Sequence, residues 1–341
     1  MMEWRTAASG LVIAMCGFGL VSCSTLAITP ADHLVTGGLS RATFVGDAPS
    51  WADSATDVMR ELEQWRGHRF MDDLQVTFQP QDDPGLNGWY NSATKELVVT
   101  TGSSEQMGRG VLLHEIFHAL QDQHFDLYQL RLASQTQPDY DKSLTAIIEG
   151  EAMLAVSELM NYNFLDHARL PADGPIREEF FEKVFLYGAG LKFIEAVRAS
   201  GGWEAVDGVF QDPPQATALI LDPERYLAGE RTIPLLEIPV NAGETLETTV
   251  MRGAYEVQLL LARAPELRPH LEEASRSYVT DTLGMLETAD GSVVHRWLIQ
   301  FDSADAASSW EDRFGKALTY DPRIDVMPSI AVEDSVLMVE W

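Results

Sequence analysis

The chain of 341 residues carries 52 acidic against 24 basic side chains, a net charge of −28, and 45% of its residues are hydrophobic. That apolar fraction is enough for a folded core in one large or two smaller domains, and it excludes wholesale disorder. The acidic balance disfavours nucleic acid and anionic membrane surfaces as partners, because both repel a negatively charged protein.

Residues 1–22 read as an export signal. Arg5 gives a weak positive start, partly offset by Glu3, and the apolar run over 7–20 is too short to span a membrane comfortably. Leu20-Val21-Ser22-Cys23 resembles the bacterial lipobox, whose cysteine is diacylated and becomes the mature N-terminus. On that resemblance Cys23 anchors an exported lipoprotein to a membrane surface, with each buried CH₂ contributing about 0.8 kcal/mol. An ordinary secretory signal with an incidental cysteine is the competing reading. Cys16 lies inside the apolar run and would be removed with it, so no disulfide is expected. Residues 23–49 mix Ser, Thr, Pro and Gly and read as a tether.

Ser50 is placed to cap a helix over about 51–65, with Val58, Leu62 and Trp65 as its apolar stripe. Alternation over 74–78 predicts a strand, and 79–88 a loop. Trp89-Tyr90 and Leu97-Val98-Val99 predict a hairpin around a turn at Ser92 to Lys95. Residues 102–110 are expected to connect it to the next helix.

That helix carries His114, Glu115 and His118 in the spacing His-Glu-x-x-His. Residues i and i+4 share a helix face, so both imidazoles can aim at one ion. Glu115 is then placed to take a proton from a water on that ion. Val111, Leu112, Leu113, Ile116, Phe117, Ala119 and Leu120 surround the polar trio, which predicts a buried helix whose polar groups need partners.

Helical patterns follow over 144–164 and 178–199, the second ended by Gly201-Gly202. Asp212-Pro213-Pro214 and Asp222-Pro223 mark irregular backbone, and 233–240 is loop or strand. Residues 245–341 read as a smaller α+β part. It holds a helix over 250–264, strands over 283–286 and 293–301 paired across Asp290-Gly291, a helix over 304–314 and a last strand over 331–340.

A protein-held catalytic zinc takes three ligands plus water. One candidate is Glu149, in Glu149-Gly150-Glu151-Ala152. Glu151 lies roughly 200° further round a helix, so both carboxylates cannot face one ion; it is expected to support the ligands or to be solvated. The other candidate is His124, which completes a metzincin-like His-Glu-x-x-His-x-x-x-x-x-His spacing. Metzincins have glycine where this chain has Gln121, a good helix former. If the helix continues, His124 sits about 240° round from His118. Met160, a candidate for the methionine turn of that group, lies in a continuous helical pattern. Asp122 and Asp126 could accept from a ligating imidazole, although both read more simply as helix-surface charges. Tyr162 and Tyr226 are candidate hydrogen-bond donors that read more simply as packing residues. His68, His167, His270 and His295 carry no assigned role.

His114-Glu115-x-x-His118, the following run to Leu127 and Glu149-Gly150-x-Ala152 resemble prokaryotic exported metalloprotease-like proteins of the gluzincin group of zincins. The likeness extends to Gly202-Trp203, Asp212-Pro213-Pro214 and Pro223-Glu224-x-Tyr226. It is weaker beyond, at Phe301-Asp302 and Asp305-Ala306, and covers about 50–310. It implies an α+β fold with a zincin-like metalloprotease domain over 50–244 and a smaller C-terminal part. It further implies Zn²⁺ held by His114, His118 and Glu149, with Glu115 as general base in hydrolysis of a peptide or protein substrate. A sheet edge beside the site would hold that substrate as an added strand. Relatives often read Thr-Glu-Gln-x-x-His-Pro where this chain has Ala218-Leu219 and Asp222. If those polar residues bind substrate, specificity or rate is altered here. The rival class is a non-catalytic surface lipoprotein, a metal-stabilised scaffold or binding module on the same fold. A serine hydrolase is not supported, because the chain lacks a Gly-x-Ser-x-Gly elbow.

Overall fold

The computed structural model describes residues 40–80, 87–102, 104–166, 169–324 and 327–341. The export signal, Cys16, Cys23, most of the expected tether and His167 lie outside the described residues. The chain is α+β and divides into two compact units between Asp126 and Leu127. The break expected near residue 245 falls inside the second unit, at the first strand of its sheet.

The first unit is built on a mixed sheet. Its strands are β1 (Ala42–Val45), β2 (Leu74–Pro80), β3 (Gly88–Asn91) and β4 (Glu96–Thr101), in the order β1-β2-β4-β3. Leu74, Val76 and Phe78 of β2 alternate inward, as a half-buried strand requires. β1 and β4 run parallel to β2, and β3 returns antiparallel to β4 as the predicted hairpin. β1 corrects the expectation of a tether reaching residue 49. It was hidden because a four-residue edge strand shows too few alternations to stand out from a Pro- and Gly-rich run. A 3₁₀ turn, Ser50–Ser54, leads into α1 (Ala55–Arg66). Ser50 therefore lies inside the turn and is not the cap of α1.

α2 (Glu105–Phe125) follows, with the Ser104 hydroxyl accepting from the Met107 N–H at its start. It begins within the stretch expected to be a connector. Position 108 within the helix suits only glycine, because an added Cβ would lie 2.4 Å from the Trp51 ring. Every residue over 111–122 is buried, so this part of α2 presents no solvent stripe.

The second unit opens with α3 (Leu127–Ser134) and α4 (Pro138–Leu159). α4 starts at Pro138, where a missing N–H costs nothing, and ends five residues short of the expected limit. Then come α5 (Glu178–Lys183), a π-helical turn Val184–Ala189 and α6 (Gly190–Gln211). α6 is two helical stretches: Gly201 and Gly202 are non-helical, Gly202 at φ 68°, so the first stretch ends at the Gly201-Gly202 pair as expected and a second runs on to Gln211. α7 (Thr217–Leu221) and α8 (Pro223–Leu227) are single turns, and Pro223 opens α8 at its first position.

The remainder is an antiparallel sheet with helices. In chain order it comprises β5 (Glu244–Val250), α9 (Gly253–Arg263), α10 (Leu271–Ser277), β6 (Tyr278–Thr288), β7 (Val293–Phe301), α11 (Ala304–Leu318), β8 (Ser329–Glu333) and β9 (Val336–Glu340). The strand order is β5-β6-β7-β9-β8. α9 and α11 cover one face through Leu260, Leu261, Trp310 and Phe314 against Trp297, Ile299 and Phe301. Ile238 packs with Leu286 and Leu298 in a second cluster, so the 233–240 segment is an irregular strap. The single last strand expected over 331–340 is instead the hairpin β8–β9, turned at Asp334 with φ 51°. Among the described residues no helix is long and apolar enough to cross a membrane.

Candidate metal centre

The helical spacing of His114 and His118 places their Nε2 atoms 2.9 Å apart, with the rings at 89° to each other. Two imidazole lone pairs converging at that distance repel unless a proton or a cation lies between them. The other ring nitrogen of His118, Nδ1, donates to Gln121 Oε1 at 2.8 Å. A donating Nδ1 leaves Nε2 as the electron-pair donor.

Glu149 lies on α4 and is buried, as are His114 and His118. One ligand atom from each of the three falls within 4.8 Å of the other two. This set could hold a metal ion. The donors suit one: two neutral nitrogens and a carboxylate oxygen match the ligand chemistry of zinc and similar divalent ions. Glu115, 3% exposed, occupies the next position after the first histidine.

The β3–β4 hairpin is fixed against α2 at this level. Tyr90 Oη and Lys95 Nζ both donate to Asp122 Oδ2 at 2.6 Å. Burial and the adjacent Asp122 carboxylate push the Tyr90 hydroxyl well above its ordinary range. An added Cβ at Gly88 would lie 2.6 Å from Val111 Cγ1 and 3.1 Å from Glu115 Cγ, so only glycine lets β3 approach α2 this closely. The bond from Thr100 N–H to Asn87 C=O and the strand register turn the backbone polar groups of Gly88 and Tyr90 away from β4. On α4, an added Cβ at Gly150 would meet the Gly190 carbonyl carbon at 2.2 Å. The glycine after Glu149 is thus the contact point of α4 with α6.

Several expected roles change. Glu151 is wholly buried, so it is not a solvated carboxylate. Asp122 is buried beneath the hairpin and is not a helix-surface charge. Asp126 is the left-handed cap of α2. α2 continues unbroken through Gln121, and His124 turns elsewhere. Its Nε2 donates to the Arg69 carbonyl at 2.8 Å and its ring stacks on His68 at 4.2 Å. The metzincin-type alternative loses its third ligand by that geometry. Met160 caps the end of α4. Tyr226 donates to the Asp212 carbonyl and carries the Arg231 guanidinium 3.8 Å over its ring, a packing role. Ala218 and Leu219 are buried in α7. Gln121, Gly88 and the Tyr90–Lys95–Asp122 clamp were missed as partners of the centre. Only Gln121 had a local signal, lying three residues after His118 and so on the same helix face.

No family model, curated protein or solved structure matches the chain.

Proposed function

We propose that the protein is a zinc-dependent metallopeptidase of zincin-like fold, with His114, His118 and Glu149 holding Zn²⁺ and Glu115 acting as general base. The convergence of the three ligand atoms within 4.8 Å carries this reading. Bound zinc supplies Lewis acidity, which activates water and polarises the scissile carbonyl. Glu115 takes the proton from the attacking water as the new C–O bond forms. It returns that proton to the nitrogen as the C–N bond breaks. The outward backbone groups of Gly88 and Tyr90 on the edge strand β3 are suited to pair with an extended peptide. The lipobox-like Leu20-Val21-Ser22-Cys23 supports export and anchoring of the protein to a membrane through Cys23.

Glu115→Gln keeps the side chain's size and removes the base. It is expected to retain about one zinc per chain while cleavage of a mixed peptide library falls by roughly 10²–10⁴-fold. His118→Ala is expected to lose the metal. Unchanged cleavage by the Glu115→Gln protein sinks the catalytic assignment. Zinc bound by a wild-type protein that cleaves nothing transfers the reading to a metal-stabilised scaffold. Cys23→Ser is expected to move the protein from the membrane fraction to the soluble one, and an unchanged distribution overturns the anchor.

A further inference from the structure

We infer that Gln121 is a positioning residue that fixes the tautomer of His118 and so prepares its Nε2 as a metal ligand; this rests on the metal reading above. A neutral imidazole carries its proton on either nitrogen, and only the bare nitrogen can bind a cation. Gln121 Oε1 lies 2.8 Å from His118 Nδ1. An amide oxygen only accepts, so it holds the proton on Nδ1 and leaves the Nε2 pair facing His114 Nε2 at 2.9 Å. The side chain is 2% exposed and sits one helical turn beyond His118 on the same helix. Its amide is therefore held in place by the helix that carries both histidines, and the ligand and its support come from one local segment. Glutamine achieves this without adding a charge next to the ion, as an aspartate partner would.

The consequence reaches His114. With the His118 Nε2 pair committed, the proton in the 2.9 Å contact belongs to His114 Nε2.

The test has a readout that does not depend on activity. Long-range ¹H–¹⁵N correlation spectra of the metal-free protein at about pH 8, where imidazole is neutral, report which nitrogen of His118 is protonated. The wild type is expected to show the Nδ1–H pattern. Gln121→Leu, close in volume, is expected to shift His118 toward Nε2–H. It is also expected to weaken zinc affinity about 10–100-fold in competition with a chelator. Gln121→Glu can still accept from Nδ1–H and is expected to restore both readouts. An Nε2–H pattern in the wild type overturns the assignment even if Gln121→Leu does not fold. Unchanged zinc affinity in a folded Gln121→Leu protein overturns the positioning role. A wild type with the expected tautomer but no zinc binding removes the metal reading and leaves the tautomer assignment standing.

Discussion

At the residue scale, Gly150 ties the centre to the packing of the second unit. A Cβ there would meet the Gly190 carbonyl carbon at 2.2 Å and its oxygen at 2.4 Å, and a Cβ on Gly190 would meet the Ala146 oxygen at 1.9 Å. Backbone cannot yield as a flexible side chain can, so α4 and α6 must part. Gly150→Ala is expected to cost about 1–3 kcal/mol in denaturant unfolding and to weaken zinc binding by displacing Glu149. Gly208, also in α6, has nothing within 4 Å of an added Cβ. Gly208→Ala is expected to stabilise by about 0.4–1 kcal/mol. Equal midpoints for the two variants would remove the close-contact argument. His114, Glu115 and His118 were readable because their geometry is set by one helical turn. Gln121 is equally local, three residues after His118, but helix propensity alone already accounts for a glutamine at that position. Asp122 was not readable, because its burial comes from a hairpin whose path over α2 is long-range. Glu149 came from a family resemblance; no spacing rule linked it to the histidines.

At the element scale, two buried carboxylates organise the start of α4 and α9. Asp139, in the first turn of α4, accepts from Thr217 N–H at 3.0 Å and from its hydroxyl at 2.5 Å. Asp281 on β6 accepts from Gly253 N–H at 2.8 Å, Arg252 N–H at 3.0 Å and Trp297 Nε1 at 2.7 Å. Gly253 lies against Asp139, where a Cβ would fall 1.7 Å from Oδ1. Burial pushes Asp139 up to about 8, opposed by the Thr217 hydrogen bonds and reinforced by repulsion from Asp281. The folded value lies above the unfolded one, so the stabilisation is full below about pH 4 and is lost as pH rises toward about 8. Asp139→Asn cannot titrate. Its stability against pH is expected to be flatter over that window by up to about 1.4 kcal/mol per pH unit, measured by urea unfolding at a series of pH values. Parallel curves for the two proteins would show that Asp139 takes up no proton on folding. Such networks leave no mark in a sequence, since Asp139 and Asp281 read as ordinary polar residues. Elements with strong local periods were legible, among them the β3–β4 hairpin, α11 and the β6–β7 pair. β1 and β8, short edge strands of four and five residues, were not, because pairing with a neighbour and not pattern makes them strands.

At the scale of the whole molecule, the α+β class was legible from alternating strand and helix patterns, whereas the division after Asp126 was not. It falls between two helices with no Pro- or Gly-rich linker to mark it. The charge was legible from the first count, and it sets the last prediction. Many of the arginines among the described residues are engaged in ion pairs, three of them with two carboxylates at once: Arg263 with Glu178 and Asp321, Arg296 with Glu244 and Glu340, and Arg323 with Asp321 and Glu256. The net charge of −28 therefore resides on carboxylates in excess of the available cations, and their mutual repulsion is relieved when the chain expands. Raising salt from about 10 mM to about 150 mM shortens the screening length from roughly 30 Å to roughly 8 Å. That weakens repulsion between distant surface charges more than it weakens contacts below 4 Å. The thermal midpoint is expected to rise with NaCl and to rise equally with choline chloride, since screening depends on ionic strength and not on the cation. The measurement belongs in chelator at fixed pH, so that neither metal binding nor Asp139 contributes. A midpoint that stays flat, or rises only with one cation, would mean that the acidic excess is held by specific ion sites and not as a diffuse repulsive surface.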